Sequence, residues 1–298
     1  MRNLLVSWCL LLCTALLAYA APVNIDAIDK TTYDNLVKYA KFAAAAYETN
    51  SKCKKPLGLG VDNGPALRFD INGTQGYLVV DDKAKEVILS FEGTFSPKDI
   101  LTDIQFWRTA LKTASYSDPK ASVHAGFQKA WIVIEKAIMD TAARFVKEKK
   151  GYKWTIVGHS LGGAIAEYAS LAIKSKYPDL KLTQYTYGAP RAGNDVWVKD
   201  LEKVVGANNI YRGVHVKDIV PTMLGHWLGY KHPGTEYWQF KEPSTPENVK
   251  KCQGGEDPSC SSQYHIAGLT ISFDHMAQFG VSFWTNPLKP EKSLCPVG

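Results

Sequence analysis

The period of the hydrophobic positions changes several times along the chain, and each change marks an element. Residues 32–47 carry Leu36, Tyr39, Ala40, Phe42, Ala43, Ala46 and Tyr47 at intervals of three and four, the stripe of an amphipathic helix. Residues 51–65 are rich in Gly, Pro, Lys and Asn and read as a loop. Three short strand-like runs follow. Residues 66–71 and 77–80 flank Asn72-Gly73, a hairpin-favouring dipeptide, and 86–91 comes after the polar turn Asp81-Asp82-Lys83. Between 127 and 150 the residues Phe127, Trp131, Ile134, Ile138, Ala142 and Phe145 share one helical face, with Gly151 as the stop. Trp154-Thr155-Ile156-Val157 reads as a buried strand, 164–177 as a helix ending before Pro178, and 181–187 as a strand. Residues 195–205 predict a short helix and 209–216 a further strand, and the apolar run 266–273 leads into a terminal helix. Strands alternating with helices predict a mostly parallel sheet covered on both faces.

One apolar run has a different meaning. Residues 4–17 follow Arg2 and end in Ala18-Tyr19-Ala20, the layout of a secretory signal cleaved after residue 20. A membrane anchor is the competing reading, but no basic stop-transfer cluster follows and no second long apolar stretch exists, so no transmembrane segment is expected. Residues 21–298 then form one domain, for which 45% hydrophobic residues supply an ample core. The net charge of +6 arises from interspersed Lys, Arg, Asp and Glu rather than from blocks, which leaves nucleic-acid binding without support. Beyond the signal remain Cys53, Cys252, Cys260 and Cys295, an even set suited to an oxidising compartment. Three pairings are open, of which Cys252–Cys260 with Cys53–Cys295 is favoured; the spacing is not that of a zinc site. Asn72-Gly73-Thr74 is an N-glycosylation sequon.

The chemistry centres on Gly158-His159-Ser160-Leu161-Gly162, a G-x-S-x-G turn between a strand and a helix. A serine at so sharp a turn projects its Oγ above the sheet edge, and the neighbours two positions away must lack Cβ. The helix that begins there directs free N–H groups at the site, with Leu161 N–H as first oxyanion donor. Phe91-Glu92-Gly93-Thr94 ends an early strand, where this architecture takes its second oxyanion donor, here Thr94. Residues 95–107 carry Ile100, Leu101 and Ile104 on one side of a short helix, a candidate lid over an apolar cleft. A nucleophilic serine needs a base, and the base an orienting acid, in the chain order Ser, Asp, His of α/β-hydrolases. Asp218, just past a strand in Val216-Lys217-Asp218-Ile219-Val220-Pro221, fits the acid. Of the seven histidines, His124 and His159 precede the serine and His215 lies in a strand; His226, His232 and His265 stay open, and His275 takes the last place in the order.

With these pieces in order, the chain resembles the fungal-type class 3 (triacylglycerol) lipase family. The resemblance rests on the serine turn, Gly93-Thr94, Val123-His124-Ala125-Gly126-Phe127, Thr186-Tyr187-Gly188-Ala189-Pro190-Arg191, the Asp218 segment, Gly234-Thr235-Glu236-Tyr237-Trp238 and Asp274-His275. It implies a single-domain α/β-hydrolase with Ser160 as nucleophile, His275 as base, Asp218 as its orienter, an oxyanion hole of Thr94 and Leu161, and a lid within 95–107. It further implies ester hydrolysis through an acyl-enzyme, with acylglycerols at a lipid–water interface as substrate and no metal or organic cofactor. A monomer is the default expectation. Two features depart from the family pattern: Glu92 stands where many relatives carry Arg, and the lid lacks a tip Trp, Trp107 lying beyond it. A feruloyl esterase, also found in this family, and a non-catalytic lipid-binding protein on the same fold are the competing functions.

Overall fold

Alternating side-chain direction in a strand lets one short apolar run supply two cores at once. In β2 (Thr74–Asp81), Leu78 and Val80 enter one hydrophobic cluster, while Tyr77 and Val79 enter the other. The same division separates Val87, Leu89 and Phe91 from Ile88 in β3 (Glu86–Phe91). Both strands are therefore buried on both faces, which explains the unbroken apolar runs Tyr77–Val80 and Val87–Leu89. The computed structural model describes residues 27–48, 61, 65–94, 107–264 and 273–283. The signal segment, Cys53, Cys295, His265 and lid residues 95–106 lie outside the described residues.

β1 (Leu67–Ile71), β2 and β3 form an antiparallel meander. β4 (Arg108–Ala110) and β5 (Ser122–His124) make a separate antiparallel ribbon. β6 (Lys153–His159), β7 (Leu182–Tyr187), β8 (Ile210–His215) and β9 (Thr235–Gln239) add to β3 in parallel, and β10 (Val249–Lys251) closes the edge antiparallel. Because the parallel strands add in one direction, right-handed crossovers place their helices on one face. There α2 (Ala125–Glu148), α3 (Leu161–Lys176) and α4 (Asp195–Leu201) bury Trp131, Tyr168 and Trp197 in the larger cluster. α1 (Lys30–Ala45) covers the other face through Leu36, Tyr39 and Phe42, and Asp29 caps its first turn by accepting from Thr32 N–H. Among the described residues no helix is long and apolar enough to cross a membrane.

The expected α/β-hydrolase architecture is present, with shifts at the element ends. α3 begins at Leu161, directly after Ser160, and α2 begins at Ala125 with the His124 ring capping it. The helix expected to open at His275 does not form among the described residues. His275 instead lies in the 3-10 turn Phe273–Met276, followed by a hairpin of β11 (Ala277–Gln278) and β12 (Val281–Ser282). Phe279 and Gly280, at φ 51° and 72°, form its turn, and two successive positive φ values are incompatible with a right-handed helix. Cys252 and Cys260 are disulfide-bonded, and Asn72 sits exposed in the β1–β2 turn.

Candidate active site

The carboxyl ends of four neighbouring parallel strands converge on one place, and each contributes a short loop to it. β6 is followed directly by Ser160, whose backbone at φ 55° and ψ −128° is a strained conformation for a residue with a side chain. The glycines around it make that turn possible. A Cβ on Gly158 would overlap the backbone of Gly162, and one on Gly162 would overlap the Phe91 carbonyl. β3 runs beside β6 with Phe91 opposite Gly158, which brings the segment after β3 to the serine. Here a Cβ on Gly93 would lie 2.9 Å from Ser160 Cβ, so Gly93 borders the nucleophile and Thr94 follows it in the chain. Leu161 is the first residue of α3, and its N–H belongs to the first helical turn, where backbone donors have no intrahelical acceptor.

β8 leads into the acid loop through Val216, at φ 40°. Asp218 is buried, and both its carboxylate oxygens lie 3.0 Å from His275 Nδ1. Val220 N–H and Gln278 Nε2 also donate to that carboxylate, at 3.0 and 3.2 Å. With Nδ1–H committed to Asp218, His275 Nε2 is left to accept a proton. Ser160 Oγ and His275 Nε2 are both buried, and neither has a hydrogen-bond partner among the described residues. β7 contributes Gly188, at φ 53°; a Cβ there would come within 2.6 Å of Asp218 Oδ2 and 2.9 Å of His275 Nδ1.

The other described histidines have partners other than the side chains of Ser160, Asp218 and His275. His124 accepts from Phe127 N–H at the start of α2, and His226 meets Glu256. His232 reaches the Pro221 carbonyl from a buried position that, with Arg212 and Arg191 nearby, drives its pKa well down. His215 Nδ1 contacts the Asp274 carbonyl. His159 is fully buried, and burial first, then the adjacent His275, holds its pKa well below the usual imidazole value. The disulfide loop braces the acid segment. Glu256, between Cys252 and Cys260, takes two 2.8 Å bonds from buried Arg191, whose third bond holds the Leu224 carbonyl. Burial opposes the Glu256 charge, but the Arg191 hydrogen bond and charge keep its pKa below the usual value.

Ser160 with Leu161, Asp218, His275 and the Gly93-Thr94 strand end thus come from four separate segments to one site. Of the expected lid only Trp107 is described, and it is 74% exposed. Sequence reasoning missed the supporting roles of Gly188, Gln278, Arg191 and Glu256. A glycine directly after the strand beside the serine strand was a usable signal for Gly188; the others carried none.

Residues 88–226 match a family model described as lipase (class 3). The chain is 29% identical over 295 residues to secreted mono- and diacylglycerol lipase 1 of Fusarium solani, covering 88% of this chain and 84% of that protein. It is 31% identical over 264 residues to a lipase of Rhizopus niveus, covering 82% of this chain but 63% of that protein. The crystal structure of a lipase from Rhizopus microsporus var. chinensis superposes with a TM-score of 0.76 at 29% identity, over 86% of this chain and 90% of that one.

Proposed function

The chain belongs to the class 3 lipase family, and on that premise we propose that it is a secreted enzyme hydrolysing acylglycerol esters through an acyl-enzyme on Ser160. One observation carries the catalytic assignment: His275 Nδ1 faces the buried Asp218 carboxylate at 3.0 Å, while His275 Nε2 and Ser160 Oγ are buried with no hydrogen-bond partner among the described residues. In the proposed cycle His275 Nε2 removes the Ser160 proton as Oγ attacks the ester carbonyl. The N–H groups of Thr94 and Leu161 receive the oxyanion, and Asp218 steadies the imidazolium that forms. His275 then protonates the departing alcohol, and water repeats the sequence on the acyl-enzyme to release the fatty acid.

Secretion is supported by the relative named as secreted and by the signal-like segment 1–20, with residues 21–298 as one catalytic domain. The test is hydrolysis of mono-, di- and triacylglycerols and methyl ferulate by the wild type and Ser160→Ala. Loss of a nucleophile lowers the rate by several orders of magnitude, on the order of 10⁶ in a serine hydrolase. Acylglycerol hydrolysis that survives Ser160→Ala sinks the reading, and a preference for methyl ferulate replaces the substrate class.

A further inference from the structure

The base of this site sits on a slight scaffold, a 3-10 turn and a hairpin with two residues in each strand. Asp218 fixes one ring nitrogen of His275, but the ring can still pivot about that contact unless the main chain is held. A chain of buried groups, none of them in the triad, holds it. His159 Nε2 lies 2.8 Å from the main-chain oxygen of His275, and its Nδ1 lies 2.5 Å from the Tyr47 hydroxyl. Phe283 stacks on the His159 ring at 4.0 Å, and the His275 ring lies 4.6 Å away. Gly93 in turn packs directly against the Tyr47 hydroxyl, where an added Cβ would overlap the oxygen. The preceding carbonyl, that of Asp274, is held by His215 Nδ1 at 2.9 Å.

The directions of these bonds follow from chemistry. A carbonyl only accepts, so the proton of the neutral His159 ring resides on Nε2. Nδ1 then accepts, and the Tyr47 hydroxyl donates to it. We infer that Tyr47 and His159 are positioning residues, which tie the oxyanion strand to the main chain of His275 and so set the distance between His275 Nε2 and Ser160. The inference rests on the triad reading above. Tyr47 closes the helical region of α1, so the N-terminal segment that covers one face of the sheet also locks the base.

His159→Phe keeps the flat ring against Phe283 but removes the donor; His159→Gln restores an N–H at the reach of Nε2. A misplacement near 1 Å costs about 100-fold in rate. With a soluble short-chain ester, kcat of the Phe variant should fall about 10- to 100-fold with KM within about twofold. The Gln variant should recover most of that loss, and Tyr47→Phe should lower kcat about 3- to 10-fold at unchanged Tm. A Phe variant within twofold of the wild type, or Phe and Gln variants equally impaired, overturns the inference. If His159→Phe does not fold, Tyr47→Phe decides, and wild-type kcat in that variant overturns it. Ser160→Ala in the same assay separates the two failures: if it stays active the triad reading falls and the inference with it, whereas if it is inactive while the His159 or Tyr47 variant behaves as wild type only the inference falls.

Discussion

Gly188→Ala tests the site through one methyl group. The added Cβ would lie 2.6 Å from Asp218 Oδ2 and 2.9 Å from His275 Nδ1, against an ordinary contact of at least 3.4 Å. The acid or the base must therefore retreat by roughly half to one ångström, which displaces the ring that takes the Ser160 proton. Alanine at φ 53° adds about 1–2 kcal/mol of backbone strain. Because Asp218 is also held by Val220 and Gln278, the less anchored His275 ring is the group expected to move. A displacement of this size predicts a fall in kcat of about 30- to 100-fold on a soluble ester, with KM little changed and Tm lowered by several degrees. Stopped-flow acylation with a p-nitrophenyl ester reads the step directly. Acylation at the wild-type rate in a folded Gly188→Ala protein would refute the reasoning, since it would mean that the Asp218–His275 spacing does not limit catalysis.

Two further outcomes are expected. Glu167 is fully buried, with burial raising its pKa to about 8 against the opposing effects of Trp197 and Arg212. Between about 4.5 and 8 the unfolded chain loses this proton and the folded protein keeps it, so the contribution present at low pH is lost as pH rises through that window. Glu167→Gln should therefore match the wild type in urea stability near pH 4.5 and exceed it by on the order of 3–5 kcal/mol at pH 9, and an equal difference at both pH values contradicts this. Breaking the disulfide, whose cysteines are 8 residues apart, with Cys252→Ser and Cys260→Ser should cost about 2–3 kcal/mol. It should also lower kcat by loosening the Glu256–Arg191–Leu224 brace, and Glu256→Gln should reproduce the kinetic loss alone; unaltered kcat in both proteins removes that brace from catalysis.

Much of this protein is written locally. The periods of 2 and 3.6 place the sheet strands and helices because a side chain's direction depends only on its own few neighbours. The serine turn is legible for the same reason: Gly158 and Gly162 answer to steric demands within five residues. Asp218 was readable from its place after a strand. The end of the chain was not, since the turn of the terminal hairpin contains Phe279 at positive φ, a residue that carries no turn signature. Contacts between distant segments were beyond reach. The chain order of the serine, acid and base named His275, but chain order alone does not show that its ring meets Asp218, 57 residues away. Tyr47 and His159, 112 residues apart, look in sequence like the end of a helical stripe and the variable position of a serine motif. Packing α1 against one face of the sheet makes them partners. Propensity and sterics act within a turn or two and are determined by sequence alone; the meeting of unlike segments depends on how helices and strands fill a common core, and only the tertiary structure decides it.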